Sequence, residues 1–336
     1  MLSQRVLQRL LLLFGVALVV ALTRVAWILA PLPGLKILGP LGLALLLAAL
    51  TRAVIGLPKG AEPGVRFFAR PLLRAAIVLM GVRLDFGKLV QAGPRVLAVD
   101  VLVVFLGVAF VAWLGARLAV RRPLALLLGV GTSVCGASAI AAVGPLVKAE
   151  EDDVAVSIGL VSLLGTIGVV SYPALGGVLH LADGAYALLC GATLHEVPQV
   201  LAAAFARGQE AGDFGTLVKL TRVALLAPLA LALSAVETAR GGESVSWRNL
   251  PVPWFVVGFV GVGALRSLGI IPAALVPWLE QLSKILLVAA MAAVGLGVHA
   301  AAVRRLGWPP VLLAIAGWLF VMVTAGLAAA ALGLLR

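Results

Sequence analysis

The sequence has few charged residues. Asp, Glu, Lys and Arg make up 12% of the 336 residues, whereas 62% are hydrophobic and the mean hydropathy is +1.16. Soluble domains carry about 25% charged residues, so this composition excludes a soluble globular protein. The apolar runs have the length of membrane helices rather than of barrel strands. The sequence therefore predicts an all-α integral membrane protein, because lipid offers backbone groups no partners outside a helix.

Cysteine and the signatures of soluble enzymes are also scarce. The two cysteines, Cys135 and Cys190, both lie inside apolar segments, so we do not expect a disulfide framework. The chain has no Walker loop, no HExxH pair and no GxSxG elbow. We therefore expect that the protein is not an enzyme and that it has no cofactor and no metal site. Any active transport by it has to use the energy of an ion gradient.

Acidic residues are fewer than basic ones, and the net charge is +12. The cations are scattered among short loops instead of forming a stripe, which argues against nucleic-acid binding. They favour a cytoplasmic N-terminus by the positive-inside rule, with the acidic run KAEEDD on the opposite side and the C-terminus outside. The loops assigned to the cytoplasm hold Arg5, Arg9, Arg52, Lys59, Arg66, Arg70, Arg74, Arg117, Arg121, Arg122, Arg240, Arg248, Arg304 and Arg305.

Apolar runs bounded by Gly, Pro and charge predict about eleven transmembrane helices. They lie near 10–30, 37–57, 72–91, 95–118, 124–147, 154–178, 184–206, 215–236, 252–270, 282–300 and 308–335. The first run follows basic residues but has no clear cleavage site, so we interpret it as a retained helix instead of a signal peptide.

An internal echo predicts how these helices are organised. MGVRLDFGKLVQAG (80–93) and VGLGVHAAAVRRLG (294–307) align without gaps, so that Gly81 matches Gly295 and Gly93 matches Gly307. The two preceding helices are seven spans apart, an odd number, which indicates an inverted repeat. We predict one polytopic domain with an extra N-terminal helix (1–36), a first half-bundle (37–180) and a second half-bundle (181–336).

The stretch GVGTSVCGASAIAAV (129–143) places small polar residues deep inside a span. Its glycines could simply allow close helix packing. A broken helix at this point would instead expose backbone N–H groups to an anion. We predict an interruption within 131–136, where the candidate anion contacts are Thr132, Ser133, Cys135, Gly136 and Ser138.

Ionisable residues inside other spans form the second part of the candidate site. In CGATLHEVPQV, His195 and Glu196 lie near mid-span, Pro198 disrupts the backbone, and Gln199 follows. Such residues usually face the bundle interior, although Glu196 could merely connect two helices. Arg222 lies about two turns into its span, where Glu196 or a bound anion is the available counter-charge, while Lys219 can snorkel.

The segment DDVAVSIGLVSLLGTIGVVSYPAL predicts a second interrupted helix. Ser162 and Thr166 share a face, and Gly168 and Pro173 could break the helix. Asp100 and Arg266 lie at the edges of their predicted spans, so we expect both at the membrane interface.

The motifs GTSVCGASAIAA, GATLHEVPQV and VKLTRVALLAP resemble the YeiH-type sulphate exporter family over nearly the whole chain. The resemblance implies the inverted-repeat architecture of bile-acid/sodium symporters, with interrupted crossing helices, and a secondary carrier in the bacterial inner membrane. The implied substrate is a small inorganic or sulphonate anion, such as sulphate.

The combined prediction is a multi-pass anion transporter that works by alternating access. Thr132, Ser133, Ser138 and Arg222 would contact the anion, and His195 and Glu196, with Gln199, Ser162 and Thr166 nearby, would couple or gate it. The coupling ion would be H⁺ or Na⁺, and a homodimer is left open. Two alternatives are a sodium or proton exchanger with Glu196 as the ion site, and an intramembrane enzyme with Cys135 as nucleophile and His195 as base.

Overall fold

A computed structural model of the chain describes residues 4–32, 35, 38–84, 86–239, 254–297 and 307–334, and this described part is built from helices and their connections. Its fifteen α-helices are α1 Gln4–Leu29, α2 Gly39–Val54, α3 Glu62–Phe67, α4 Leu73–Met80, α5 Phe86–Arg117, α6 Arg122–Ser133, α7 Ala137–Val143, α8 Glu151–Val178, α9 Asp183–Thr193, α10 Val197–Phe205, α11 Gln209–Ala224, α12 Leu226–Ala239, α13 Trp254–Ser267, α14 Val276–Leu296 and α15 Trp308–Ala331.

Within the described residues, six helical segments are long and apolar enough to cross a membrane. They are Leu10–Leu29, Gly93–Arg117, Glu151–Val178, Gln209–Thr238, Ala273–Leu296 and Trp308–Ala331, and Gly39–Val54 and Trp254–Ser267 are shorter apolar helices. The predicted all-helical membrane protein is confirmed. Residues 298–306, which carry much of the internal echo, lie outside the described residues, as do Arg240, Arg248, Arg304 and Arg305.

The predicted span 124–147 is a helical hairpin formed by α6 and α7. A Cβ atom on Gly131 would lie 2.7 Å from Cδ1 of Ile140. In one continuous helix these two residues would be separated by about 13 Å along the axis. After α7 the chain turns directly, and Arg121, which precedes α6, contacts Glu150 at 3.0 Å, which precedes α8. The segment therefore returns to the end of the bundle from which it entered.

The predicted span 184–206 is a second hairpin, formed by α9 and α10. Asp183 Oδ1, at the start of α9, lies 3.1 Å from Nε of Arg207, which follows α10. Closer to the tip, the Tyr186 hydroxyl donates a hydrogen bond to the Ala203 carbonyl at 2.7 Å. These contacts join the two arms along their length, so this segment also does not cross the bundle.

The helix α8 connects the two hairpins and shows that they enter from opposite ends. It begins beside Arg121 and ends beside Arg207, whose Nη2 donates to the Leu181 carbonyl at 2.8 Å. Its 28 residues span about 42 Å, enough to cross a bilayer. We call its two ends the Arg121 end and the Arg207 end of the bundle. The two hairpin tips meet between them, where a Cβ on Gly136 would lie 2.4 Å from Cγ of Glu196.

The predicted interruption within α8 is wrong, because this helix is continuous through Gly168 and Pro173. Its glycines instead allow the second hairpin to approach. A Cβ on Gly165 would lie 2.0 Å from Oε1 of Gln199, and one on Gly168 would lie 2.4 Å from Cδ2 of Leu194. The second helix break lies between α9 and α10, and Pro198 follows it in the first turn of α10.

The predicted position of the acidic run on the side opposite Arg121 and Arg122 is also wrong. Arg121 pairs with Glu150 at 3.0 Å and with Asp153 at 2.7 Å, so the run lies at the same end as these arginines. The physical reason is the first hairpin. Residues 124–147 return to the end from which they entered, so the acidic run after them lies on the same side as the arginines before them.

The other helices form a second group beside the hairpins. The helix α14 packs against α2 and α4, α13 packs against α4, and α1 packs against α2. The helices α5 and α15 pack against each other and against the first hairpin, and α2 contacts α10. Both predicted half-bundles contribute helices to each group, and the division into two repeated halves stays a prediction.

Accessibility to a membrane-impermeant maleimide should confirm the first hairpin. We expect single cysteines at the exposed positions Arg117 and Asp152 to be labelled from the same side of the membrane, and one at Gly184 from the other side. The native Cys135 and Cys190 are buried and should stay unlabelled in the parent protein. Labelling of Asp152→Cys and Arg117→Cys from opposite sides would contradict the hairpin.

Candidate functional site

The two hairpin tips place four interrupted helix ends in the middle of the bundle. The first tip comprises residues 134–136, and Gly136 has a φ of +63° and a ψ of −131°, a conformation open to glycine. The second tip comprises residues 194–196, with Pro198 in the first turn of α10, where a missing N–H is tolerated. Helix ends away from water leave carbonyl and N–H groups that need partners.

Two cations on α11 satisfy the carbonyl groups of these tips. Lys219 Nζ donates to the carbonyls of Val134 at 2.7 Å, Leu194 at 2.8 Å and His195 at 2.6 Å. Arg222 donates through Nε to the Val134 carbonyl at 2.9 Å, through Nη1 to that of Ala192 and through Nη2 to that of Leu194. Residues three apart on a helix share a face, so one helix binds both tips.

This arrangement changes the interpretation of both cations. Both side chains are 0% exposed, so Lys219 does not snorkel. The N–H groups of Arg222 donate to backbone carbonyls, so Arg222 needs neither Glu196 nor an anion as its direct partner. The positive charge of both cations still acts on whatever lies at the tips, and a positive charge near the end of α6 and α9 is also favourable to the helix dipole.

The Glu196 carboxylate occupies the place where the starts of α7 and α10 meet. Ser162 Oγ donates to Glu196 Oε1 at 2.8 Å, and the Gln199 N–H donates to the same side chain. Ala137, the first residue of α7, lies beside this carboxylate. Glu196 and Gln199 form a capping box at the start of α10, in which the Glu196 N–H donates to Gln199 Oε1 at 2.8 Å. The sequence predicts that N–H groups here hold an anion, and the anion they hold in this structure is the protein's own carboxylate.

This face of the tips is the more open one. Glu196, Ser162 and Thr166 are partly buried, and Ser138 is exposed. The Thr166 hydroxyl donates to the Ser162 carbonyl of its own helix at 2.8 Å. The predicted coupling residues Glu196, Gln199 and Ser162 are therefore in direct contact, and Ser138 and Thr166 lie on the same tip or helix nearby.

The remaining predicted residues lie on the opposite, closed face of the tips. Thr132, Ser133 and His195 are at most 1% exposed. Ser133 Oγ lies against α5, where a Cβ on Gly107 would be 2.3 Å away, and the His195 ring lies 5.6 Å from the ring of Trp318 on α15. Neither hydroxyl and neither imidazole nitrogen has a hydrogen-bond partner among the described residues. The structure thus divides the predicted site into two faces.

Sequence reasoning missed Asp100 as a buried group. The predicted span begins at residue 95, after Gly93 and Pro94, and this start places Asp100 near a membrane interface. Instead α5 begins at Phe86 and runs through Pro94, so Asp100 is the fifteenth of 32 residues and is 0% exposed. Arg266, by contrast, is exposed near the end of α13, and its position at the membrane interface stays a prediction.

The two cysteines are free and buried. Among the contacts of the described residues, none joins the Cys135 thiol to the His195 imidazole, so the nucleophile and base of the enzyme alternative are not brought together here. Cys135 lies at the first tip, between α6 and α7.

The family model described as Conserved hypothetical protein 698 matches residues 14–314 of this chain. The chain belongs to this family. It is the family that the sequence motifs resemble. A relative named UPF0324 membrane protein from Bacillus cereus is 40% identical over 295 residues, which cover 87% of this chain and 83% of the relative.

Other members of the Conserved hypothetical protein 698 family give the same picture. A UPF0324 membrane protein from Listeria monocytogenes is 37% identical over 307 residues, 91% of this chain and 92% of the relative. One from Staphylococcus epidermidis is 33% identical over 284 residues, 84% of this chain and 86% of the relative. No solved structure is significantly similar to this family member.

Replacing Arg222 with Met should lower the free energy of unfolding by about 2–4 kcal/mol, because a buried carbonyl left without a donor costs about 1–3 kcal/mol. Denaturant titration in detergent micelles, followed by tryptophan fluorescence, measures the change. The neighbouring Thr221→Ala is the control, since its hydroxyl bonds only the Leu217 carbonyl of the same helix. Equal losses for the two variants would contradict the capping role.

Replacing Gly136 with Ala should destabilise the first tip and impair function. The residue would be strained by about 1–3 kcal/mol, and its Cβ would lie 2.4 Å from Glu196 Cγ, so the carboxylate has to move. Gly56→Ala is the matched control, because Gly56 also has a positive φ, +78°, with no atom within 4 Å of the added Cβ. Thermal unfolding that falls no further in Gly136→Ala than in Gly56→Ala would refute the close contact.

Proposed function

We propose that this protein is a secondary active transporter that moves a small anion together with protons by alternating access. The observation that carries the proposal is the position of the Glu196 carboxylate. It accepts hydrogen bonds from the Ser162 hydroxyl and the Gln199 N–H at the start of α10, and it lies beside the first residue of α7 in the middle of the bundle. A negative charge at helix starts is electrostatically favourable, so this point attracts anions.

Protonation of Glu196 would convert this point into a site for another anion. Four buried or partly buried ionisable side chains lie around the tips. In the proposed resting state Lys219 and Arg222 are positive, and Glu196 and Asp100 are negative. When Glu196 takes up a proton, the net charge of the cluster rises by one. The neutral carboxylic acid then accepts hydrogen bonds from the N–H and hydroxyl donors less strongly than the carboxylate does. An anion then restores neutrality, so anion and proton travel in the same direction and anion binding strengthens as the pH falls.

The donors on the open face suit an oxyanion. Ser138 is exposed, and Ser162 and Thr166 are partly buried beside Glu196. Hydroxyl and backbone N–H groups are effective donors to the several acceptor oxygens of sulphate or a sulphonate, which are the substrates implied by the sequence resemblance.

The hairpin arrangement supports alternating access. Interrupted helices that meet near the bilayer midplane are a common construction in secondary transporters, and the second helix group can move against such a site. Two hairpins that enter from opposite ends are also what the predicted inverted repeat requires. With the Arg121 end in the cytoplasm, Arg117, Arg121 and Arg122 obey the positive-inside rule, to which the adjacent carboxylates contribute little.

A sodium or proton exchanger is the second candidate, because Glu196, Ser162 and Gln199 bring oxygen atoms together. The N–H groups at the same point and the charge of Lys219 oppose a cation there, and so they favour the anion. Uptake of sodium that is driven by pH and indifferent to anions would establish the exchanger.

Glu196→Gln tests the proposal in proteoliposomes loaded for uptake of radiolabelled sulphate or a sulphonate. We expect the variant to bind the anion more tightly at alkaline pH than the wild type does at the same pH. Its accumulation should fall by about tenfold for each unit of pH difference across the membrane, since each coupled proton contributes about 1.4 kcal/mol per pH unit.

Glu150→Gln is the control, because Glu150 lies at the Arg121 end of the bundle and pairs with an exposed arginine. It should retain the wild-type response to the pH gradient. A Glu196→Gln protein whose accumulation follows the pH gradient as the wild type does would remove Glu196 from coupling.

A further inference from the structure

Asp100 is a buried carboxylate that the proposed coupling step does not use. Its side chain is 0% exposed in the middle of α5, and neither of its oxygens has a hydrogen-bond partner among the described residues. A buried carboxylate without donors is costly when ionised and is tolerable when protonated or when paired with a nearby positive charge. Ionisable residues in this situation usually mark ion or proton pathways.

The helices packed against α5 place two cations near Asp100. The helix α11 brings Lys219 and Arg222, which both interact electrostatically with Asp100. Val99 and Val103, which flank Asp100 on α5, pack with Ala192 of α9 and Val218 of α11. The Ala192 carbonyl is also an acceptor of Arg222. The pairing is through space, because the hydrogen bonds of both cations go to carbonyls of the tips.

Among the described helices that pack against α5, no other supplies a charge at this depth. The described residues of α15 include no charged side chain, and α6 contributes Thr132 and Ser133 near the tip. On α9 the titratable groups are Asp183, Tyr186 and Cys190, and Asp183 lies at the Arg207 end in an ion pair. Arg266 of α13 is at the helix end, and Arg122 of α6 pairs with Glu237 at the Arg121 end.

We propose that Asp100 is a second proton-carrying group, so that the protein moves two protons with each divalent anion. This inference rests on the proposed function and specifies its stoichiometry. In the resting charge state, Lys219 and Arg222 balance Glu196 and Asp100. Each carboxylate takes up one proton and becomes a neutral carboxylic acid, and the dianion then balances the two cations. The cluster is neutral before and after, and the complete cycle moves two protons and two negative charges, with no net charge.

The count of two protons distinguishes this mechanism from coupling through Glu196 alone. A monovalent anion would need one proton for the same neutrality, and Asp100 would then stay ionised throughout. The charges around the tips therefore match a dianion such as sulphate when both carboxylates exchange protons, and a monovalent sulphonate when only Glu196 does.

Sulphate uptake by the wild-type protein in proteoliposomes gives the first test. Accumulation should change by about 100-fold per unit of pH difference, because two protons each contribute about a factor of ten. A potassium diffusion potential set with valinomycin should have no effect on it. A dependence of tenfold per pH unit with a clear effect of the potential would overturn the second proton even if Glu196 is the coupling residue.

Asp100→Asn gives the second test, with Asp100→Glu as the conservative control. The Asn variant should move sulphate with one proton and one net negative charge. A potential of 100 mV should then change its accumulation by about 50-fold, and Asp100→Glu should restore insensitivity to the potential. An Asp100→Asn protein that remains electroneutral, with wild-type dependence on pH, would refute the role of Asp100.

The two proposals fail in different ways. If Glu196→Gln loses a proton and Asp100→Asn does not, only the second proton is refuted. If Glu196→Gln keeps the wild-type dependence on the pH gradient, the proposed function itself is wrong. Should the Asn variant be poorly folded by size-exclusion chromatography, the wild-type stoichiometry still decides between one proton and two.

Discussion

Two helices that end in the middle of a membrane leave carbonyl groups that lipid cannot satisfy, and the rest of this structure follows from how they are satisfied. The cations Lys219 and Arg222 supply the donors, and both come from one face of α11. Because each cation reaches carbonyls of both hairpins, the tips are held together as one unit. The cost of burying two positive charges is then offset by several short charge-assisted hydrogen bonds and by the two carboxylates nearby.

The polarity of the helix ends determines what each face of the tips can do. The cations donate to carbonyls at the ends of α6 and α9, whereas the starts of α7 and α10 meet at Glu196, a group whose charge can change. That face is partly open, and the face with Thr132, Ser133 and His195 is closed against α5 and α15. In the proposed mechanism, a charge balance that is neutral only in certain protonation states links proton uptake to anion binding, without any contact between the anion and Asp100.

The sequence predicts much of this molecule but not its hairpins. Composition and run length identify an all-helical membrane protein, although α5, α11 and α14 begin six to nine residues before the predicted spans. The break at 131–136 follows from its glycines and hydroxyl residues. A run of 24 apolar residues fits a crossing helix as well as a hairpin, and only contacts between distant residues, such as Asp183 with Arg207, separate the two. For the same reason the sequence misplaced the acidic run. Asp100 was missed because the helix continues through Pro94, where local propensity predicts a loop.

Structures of the purified protein by electron cryomicroscopy, at acid and at alkaline pH with sulphate present, test the exchange between Glu196 and the anion most directly. The account predicts an anion near Ser162 and the start of α10 at acid pH, with the Glu196 side chain displaced. At alkaline pH the carboxylate should again accept the Ser162 hydroxyl, with no anion there. A Glu196 carboxylate that keeps its bond to Ser162 at both values of pH, with sulphate bound elsewhere, would contradict it.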